Sequence, residues 1–369
     1  MSTEMVRERV RAAGAMPMRI VAAGSWLDAG RPVRDAAPLS LAGDDAIVEY
    51  VPGDLTLTAR AGASLADIAR VTGAEGQWLA MDPFGAPSAT LGATIATGSA
   101  GPLAHAFGTP RDNVLGLEAV TGTGDIVRAG GRVVKNVAGF DLARLFTGAW
   151  GTLAVITEAT VRLRARPERD ETIALALPAV DALDAWLTTL RALPFSPLAL
   201  ELLNAPLSRA LGVGDGALLL ARLGGNADAV RAQLQAMRAL GDAEPMPKRA
   251  WRALAEIEPA GAAVARISAA PSRLHALWAR LAGIDDGSFV HASVGRGVVR
   301  CIHRAAADAP LASWLAHIAH AEGTHIFERL PESEWGAIPT RVNDPLARAV
   351  RDAFDPRRVL NRGILGDVA

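Results

Sequence analysis

The chain has 369 residues, 50% of them hydrophobic, enough to bury one large core or two smaller ones. Its 38 basic and 39 acidic residues leave a formal net charge of −1, so no overall field gathers nucleic acid or anionic lipid, and a specific small-molecule or protein partner is expected instead. The single cysteine, Cys301, excludes an intramolecular disulfide and any CxxC pair, and fits a reducing compartment.

Residues 1–19 carry Glu4 and Glu8 among arginines and no unbroken apolar stretch, so they do not read as a secretory signal. Residues 3–13 predict a helix, with Ser2 or Thr3 as its cap and Met5, Val6 and Val10 as its apolar stripe. Residues 18–22 predict a short strand running into Ala23-Gly24-Ser25. Residues 46–51 and 55–61 predict paired strands around the turn Pro52-Gly53-Asp54. Ser64 caps a helix over 65–71, with Asp67 completing an imperfect capping box. Residues 83–102 are rich in Gly, Ala, Ser and Thr and predict a loop. A hairpin over 115–121 and 125–129, a helix over 142–146 capped by Asp141, and a long alternating strand over 153–163 complete this half.

Arg164-Ala165-Arg166-Pro167 marks a domain boundary. Beyond it, predicted strands at 172–177, 197–202, 217–223, 262–268, 288–292, 297–303 and 324–328 alternate with helices at 180–192, 227–240, 272–282 and 310–320. That order fits ferredoxin-like α+β layers. A helix over 345–354 and a short tail end the chain. The longest apolar runs, such as 216–221, are too short to cross a bilayer.

Three segments carry chemistry. In the first, Ala22-Ala23-Gly24-Ser25-Trp26-Leu27, a strand ends in small residues whose N–H groups can cradle phosphate oxygens; an ordinary strand–loop turn explains it equally well. In the second, from Ala89 to Pro102, small side chains let a flat ring and a pyrophosphate approach the backbone, with hydroxyls from Thr94, Thr97 and Ser99. It matches neither GxGxxG after a strand nor GxxxxGKS/T, which disfavours Rossmann and Walker sites. The third begins at Gly108-Thr109-Pro110-Arg111-Asp112-Asn113. It continues through Lys135-Asn136-Val137-Ala138-Gly139-Phe140-Asp141-Leu142 and closes with Gly151-Thr152-Leu153-Ala154-Val155-Ile156-Thr157-Glu158.

The order of these segments resembles the flavoenzyme superfamily of vanillyl-alcohol oxidase and p-cresol methylhydroxylase (PCMH) type, with a close match to the family of FAD-binding subunits of bacterial glycolate oxidase. Phe354-Asp355-Pro356-Arg357-Arg358-Val359-Leu360-Asn361 is similar to the family's terminal segment. The resemblance is strong through residue 167, weak over 168–340, and returns at the end. It implies an α+β chain: a PCMH-type FAD-binding domain of two α/β subdomains over 1–167, a ferredoxin-like α+β domain over 168–340 for substrate or partner, and a C-terminal segment over 341–369 that returns to the flavin. It implies FAD held by Gly24, Ser25, Trp26, Asp82, Pro83, Gly92, Ala93, Thr94, Thr97, Gly98, Arg111, Asp112, Gly151, Thr152, Ile156 and Asn361, with Asn361 approaching from the second domain.

The implied function is the FAD-binding subunit of a glycolate (2-hydroxy acid) oxidase or dehydrogenase complex, beside a second flavin subunit and an iron–sulfur subunit. The alternatives are a stand-alone FAD-dependent 2-hydroxy acid oxidoreductase and a non-catalytic assembly subunit that keeps the flavin fold. Covalent members carry a histidine in the first loop, where Ser25 and Trp26 stand here, so non-covalent FAD is expected. Asn361-Arg362-Gly363 replaces the family's Asn-Pro-Gly and loses the stiffening proline. The sister subunit's histidine-rich metal segment has no counterpart. The expected location is cytoplasmic, peripheral to the inner membrane only through partners.

No residue matches a catalytic base, and no metal site is expected. His317 and His320 share a helix face, with His325 and Glu322 nearby in sequence, but surface or capping histidines are commoner than ligands. Cys301 reads as a small core residue. Of the eight tryptophans, Trp150 stands in the flavin-domain loop. Arg111 and Arg144 are candidates for a carboxylate or phosphate, because guanidinium grips both bidentately, though Asp112 also offers Arg111 an internal ion pair. Arg329 and Arg341 are further substrate candidates.

Overall fold

A computed structural model describes the whole chain except residues 87, 132–140, 285–286, 305–309, 341–343 and 367–369. The chain forms two compact units. One gathers Met1–Gly101, Gly108–Arg166 and Glu332–Ala369, and the other gathers Pro102–Phe107 and Pro167–Pro331.

The first unit opens with α1 (Thr3–Ala12), capped by the Ser2 hydroxyl accepting from Met5 N–H. Strands β1 (Met18–Val21) and β2 (Ala37–Ser40) then pair in parallel. There follow β3 (Ile47–Val51), β4 (Thr56–Arg60), α2 (Leu65–Gly73), β5 (Gln77–Trp78) and α3 (Leu91–Thr97). After α4 (Ala104–Phe107), which belongs to the second unit, come α5 (Pro110–Asn113), β6 (Val114–Thr121), β7 (Ile126–Gly130), α6 (Leu142–Phe146), β8 (Ala154–Arg162) and β9 (Arg164–Ala165).

Five of these strands form an antiparallel sheet in the order β3-β4-β8-β6-β7, while β5 pairs with β9. Alternation along the central strands sends side chains to two cores. Ala119 and Ile156 oppose one another and join Ile68, Leu91, Ile95 and Phe146 from α2, α3 and α6. Val120 and Val155, the next pair along, join Val6 and Val10 of α1 and Leu39 of β2. The sheet is therefore sandwiched, and its middle strand β8 is apolar on both faces.

The second unit holds β10 (Arg169–Ala176), α7 (Leu183–Arg191), β11 (Ala199–Leu203), α8 (Ala205–Leu211), β12 (Leu218–Gly225), α9 (Ala227–Arg238), β13 (Ala243–Met246) and α10 (Arg249–Ala255). Then come β14 (Ala263–Ser268), α11 (Leu274–Ala282), β15 (Phe289–Ser293), β16 (Val298–His303), α12 (Leu311–Ala319) and β17 (Thr324–Arg329). All eight strands join one antiparallel sheet, ordered β13-β10-β12-β11-β15-β16-β14-β17. Each half of that order is a β-α-β-β-α-β repeat, with α8 added between the second and third strands of the first half, and in each the first strand lies between the third and fourth, which is the ferredoxin-like pattern. The two repeats meet where β11 pairs with β15. On the sheet, Arg300 is 2% exposed and shared by Glu258 and Glu328, which also bind Arg329 (2.7 Å) and Arg266 (3.1 Å). Burial alone would lower the Arg300 pKa, but the Glu328 and Glu258 carboxylates outweigh it and raise it.

The C-terminal segment belongs to the first unit. Its helix α13 (Pro345–Phe354) sets Phe354 edge-on to Phe146, with ring centroids 5.2 Å apart. Asp355, fully buried, accepts from the N–H groups of Val359 and Leu360 at 3.0 and 2.9 Å. That turn lays Leu360 beside Met18 in a parallel bridge and delivers Asn361 to β1.

The sequence expectations fail at five of these elements. The stretch expected to be a loop over 83–102 contains α3, because Thr90 caps it and Gly98 ends it with φ +65°. Strands β2 and β13 contain Pro38 and Pro245, which mask strand character; β13 is an edge strand, where a missing donor is tolerated. Helices α8 and α10 have seven residues each, too few for a clear apolar period.

Candidate functional site

The first unit contains a cleft with about 690 Å³ of empty space, part of it open to solvent. Its lining residues are contributed by the end of β1 and the loop after it, by α3, by Trp150, Gly151 and β8, and by Asn361 and Ile364.

The β1 loop is held from below by an arginine. Arg19 Nη2 donates to the carbonyls of Trp26 (3.0 Å) and Leu27 (3.4 Å), and burial pushes its pKa down. Gly24 turns the chain at φ +82°, and its carbonyl accepts from Leu27 N–H. Among the described residues, no protein group accepts from the N–H of Ala22, Ala23 or Gly24. These three donors stand at the cleft edge, a concave backbone surface suited to an anion.

Helix α3 approaches the cleft through small residues. Gly92 N–H donates to Ala61 O at 2.8 Å, and a β-carbon at Gly92 would lie 2.6 Å from the Ala61 β-carbon. Only glycine lets the helix sit this close to the end of β4. The first N–H groups of α3 are already used, by Ala63 O, Ala61 O and the Thr90 hydroxyl. The helix therefore offers its surface at Ala93, Ala96 and Thr97 rather than its N-terminus.

The remaining wall is a strained aromatic corner. Trp150 has φ +56°, a conformation costing on the order of 1–3 kcal/mol for a residue other than glycine. It is held there on both sides: its N–H donates to Ala96 O at 2.7 Å, and its carbonyl accepts from Asn361 Nδ2 at 2.7 Å. Its ring meets the Trp26 ring edge-to-face, 5.7 Å between centroids and 86° between planes. Asn361 Oδ1 in turn accepts from Ile20 N–H at 2.9 Å. Both ends of the Asn361 amide are thus occupied by protein, so the side chain fastens two walls together. A β-carbon at Gly151 would lie 2.9 Å from both Asn361 Nδ2 and Ile20 Cδ1.

Of the residues singled out in the sequence, Gly24, Ser25, Trp26, Gly92, Ala93, Thr97, Gly151, Ile156 and Asn361 line this cleft. Asn361 reaches it from within the first unit. The others lie outside the lining. Thr94 is fully buried and donates to Thr90 O, and Thr152 donates to Ala149 O. Gly98 ends α3. Asp112 caps α5 by accepting from Thr109 N–H and Oγ1, both at 2.8 Å, and Arg111 donates to Thr147 O at 3.4 Å. Asp82 and Pro83 precede α3, with the Asp82 carbonyl packed tightly on Gly101.

Elsewhere, Arg144 pairs with Asp141 and Arg329 with Glu258. His317, His320 and His325 each bond a carbonyl four residues back, and Cys301 is buried. Among the described residues, no group of three or more His, Cys, Asp or Glu is placed to hold a metal. Arg341 and the whole of Lys135–Phe140 lie outside the described residues. Sequence reasoning missed Arg19, Ala61, Ala96 and Ile364; only the small-residue run hinted at Ala96.

The lining suits a large anionic nucleotide. It contains no aspartate or glutamate, one arginine, three donating backbone N–H groups and apolar walls.

Comparison with known proteins agrees. Residues 1–130 match the family model described as FAD binding domain. Glycolate oxidase subunit GlcD of Bacillus subtilis (strain 168) is 37% identical over 160 residues, covering 43% of this chain and 34% of that protein. Glycolate oxidase subunit GlcE of Escherichia coli (strain K12) is 40% identical over 153 residues, covering 41% of this chain and 43% of that one. A mitochondrial D-lactate dehydrogenase [cytochrome] of Arabidopsis thaliana is 38% identical over 142 residues, 38% of this chain and 24% of that protein. The chain thus spans well under half the length of each of these relatives. In fold, an alkyldihydroxyacetonephosphate synthase structure superposes with a TM-score of 0.68 at 16% identity, covering 98% of this chain and 74% of that one. Among the described residues, no helix is long and apolar enough to cross a membrane.

Proposed function

We propose that this chain, whose residues 1–130 carry an FAD-binding domain, is the FAD-binding subunit of a glycolate (2-hydroxy acid) dehydrogenase complex. The observation that carries the reading is a cleft free of carboxylates, edged by donating backbone, in a region similar to subunits and dehydrogenases of that substrate class.

Bound FAD supplies the capacity to accept a hydride from a carbon that bears a hydroxyl. The protein's residues bind and orient it. The N–H groups of Ala22, Ala23 and Gly24 donate to its pyrophosphate. Gly92, Ala93 and Gly151 let its rings approach the backbone, while Trp26 and Trp150 exclude water along one wall. The cleft lining contains no histidine, cysteine or tyrosine, which supports a non-covalent cofactor.

The subunit names of two relatives support assembly with other chains, here a second flavin subunit and an iron–sulfur subunit. The test is reduction of an artificial electron acceptor by glycolate, with the chain alone and with those partners added. Turnover only in the mixture is expected. Turnover by the isolated chain would favour a stand-alone oxidoreductase. No dependence of the mixture on this chain's flavin would favour an assembly subunit.

A further inference from the structure

Past Gly24, the connection between β1 and β2 runs behind the aromatic wall of the cleft. It turns at Gly30, which is buried and has φ +75°. A β-carbon at Gly30 would lie 2.5 Å from Ile364 Cγ1 and 3.1 Å from the Trp150 ring. Trp150 and Ile364 both line the cleft, so this backbone is the support on which that wall rests. The next residue, Arg31, donates its N–H to Ile364 O at 2.9 Å.

The Arg31 side chain reaches a different stretch of the chain. Its Nη1 donates to the Trp335 carbonyl at 2.6 Å, and its Nη2 donates to the Ile338 carbonyl. The guanidinium lies 5.3 Å from the centre of the Trp335 ring. A β-carbon at Gly366 would lie 2.7 Å from Arg31 Nε, so the tail beyond Ile364 packs on the same group. One residue thus gathers two segments, 335–338 and 364–366, at the back of the cleft wall.

The first of these segments has few anchors of its own. Glu332–Ala337 is a 3-10 helix in which Trp335 is the one buried residue. Runs of this helix beyond three or four residues are uncommon, because its hydrogen bonds are poorly aligned, so this one depends on tertiary contacts. Arg34 also pairs with Glu332, but the two side chains are 74% and 62% exposed, and such a pair contributes little. The segment begins directly after Pro331, where the chain returns from the second unit.

We propose that Arg31 is a positioning residue for FAD. By clasping residues 335–338 to the back of Trp150 and Ile364, it sets the wall against which the cofactor binds. Coupling between binding events is reciprocal: whatever factor the clasp adds to FAD affinity, bound FAD adds to the stability of the clasp. The segment by which the chain returns from the second unit therefore tightens when the cleft is filled. The inference rests on FAD occupying this cleft, and not on the identity of the substrate.

The test uses the full chain, stripped of flavin and titrated with FAD, as wild type, Arg31→Met, Arg31→Lys and Arg34→Ala. Arg31→Met keeps the aliphatic stem and loses both side-chain donors. Arg31→Lys keeps the charge, but an ammonium does not span two carbonyls as a guanidinium fork does. FAD affinity is expected to fall about tenfold in Arg31→Met, to recover in part in Arg31→Lys, and to change little in Arg34→Ala. Hydrogen exchange is the second readout. In wild type, FAD should slow exchange over 335–338 by about the factor that the clasp adds to affinity, and in Arg31→Met it should not. A role confined to stability would lower the melting temperature of Arg31→Met and leave both readouts unmoved. Equal FAD affinity in wild type and Arg31→Met, or an equal loss in Arg34→Ala, would overturn the proposal. So would exchange over 335–338 that does not respond to FAD in wild type, a measurement that decides the matter if Arg31→Met fails to fold. Each of these results leaves the cofactor reading in place, whereas a wild type that takes up no FAD overturns both.

Discussion

Asn361 fastens Trp150 to β1: its amide nitrogen donates to the Trp150 carbonyl at 2.7 Å while its amide oxygen accepts from Ile20 N–H at 2.9 Å. The two contacts join residues 211 and 341 positions away in sequence, and they hold a tryptophan at φ +56°. With Arg19 on Trp26 and Trp26 against Trp150, they close a ring of contacts around the cleft.

Replacing Asn361 should therefore loosen the cofactor through the walls. Asn361→Ala leaves a backbone donor and a backbone acceptor unpaired, at a cost of about 1–3 kcal/mol. FAD affinity is expected to fall by at least about tenfold, equivalent to 1.4 kcal/mol. Asn361→Asp can still accept from Ile20 but cannot donate to Trp150, so it should fail nearly as badly. Titration of the apoprotein with FAD checks both.

Gly92 is a steric requirement. A β-carbon there would lie 2.6 Å from that of Ala61, closer than two such carbons pack, and the neighbouring atoms are backbone. Gly92→Ala should push α3 from β4 and cost about 1–3 kcal/mol in urea unfolding, with loss of bound flavin. Gly131, where a β-carbon meets nothing, is the control position.

Arg19 acts through the loop it pins. Arg19→Met keeps the aliphatic stem but removes the donors to Trp26 and Leu27. The expected result is a weaker FAD complex whose release rate rises more than its association rate falls, measured by stopped-flow fluorescence.

The second unit should lose stability on acidification through His105. Burial is the largest cause of its lowered pKa; Glu201 opposes the shift and Arg296 adds to it. The unfolded histidine binds a proton near its ordinary pKa of about 6.5, whereas the folded one resists until lower pH. Stability from this group is thus fully present above the unfolded value and is lost as pH falls through the folded value. Melting temperature followed from neutral to mildly acidic pH should drop in wild type and drop less in His105→Asn.

Much of the fold was legible because local chemistry and tertiary structure agree. Ser64 with Asp67 and Asp141 with Arg144 N–H form the caps their spacing predicts, and β8 falls within the strand expected over 153–163. The small-residue stretch was harder. Leu91–Thr97 is helical because Ala61 and Ala63 supply acceptors to its first turn, partners remote in sequence. The cleft shows the same division. Gly24, Gly92 and Gly151 declare themselves because close approach demands glycine, but nothing near Arg19 in sequence says that its guanidinium reaches Trp26. Asn361 was visible as part of a motif, whereas its bonds to Ile20 and Trp150 required the chain to return to β1.

The most direct measurement is the visible absorption spectrum of the purified protein before and after acid precipitation. The account predicts a flavin spectrum that moves wholly to the supernatant, with FAD recovered in proportion to the chain. A colourless protein that also takes up no added FAD would contradict it.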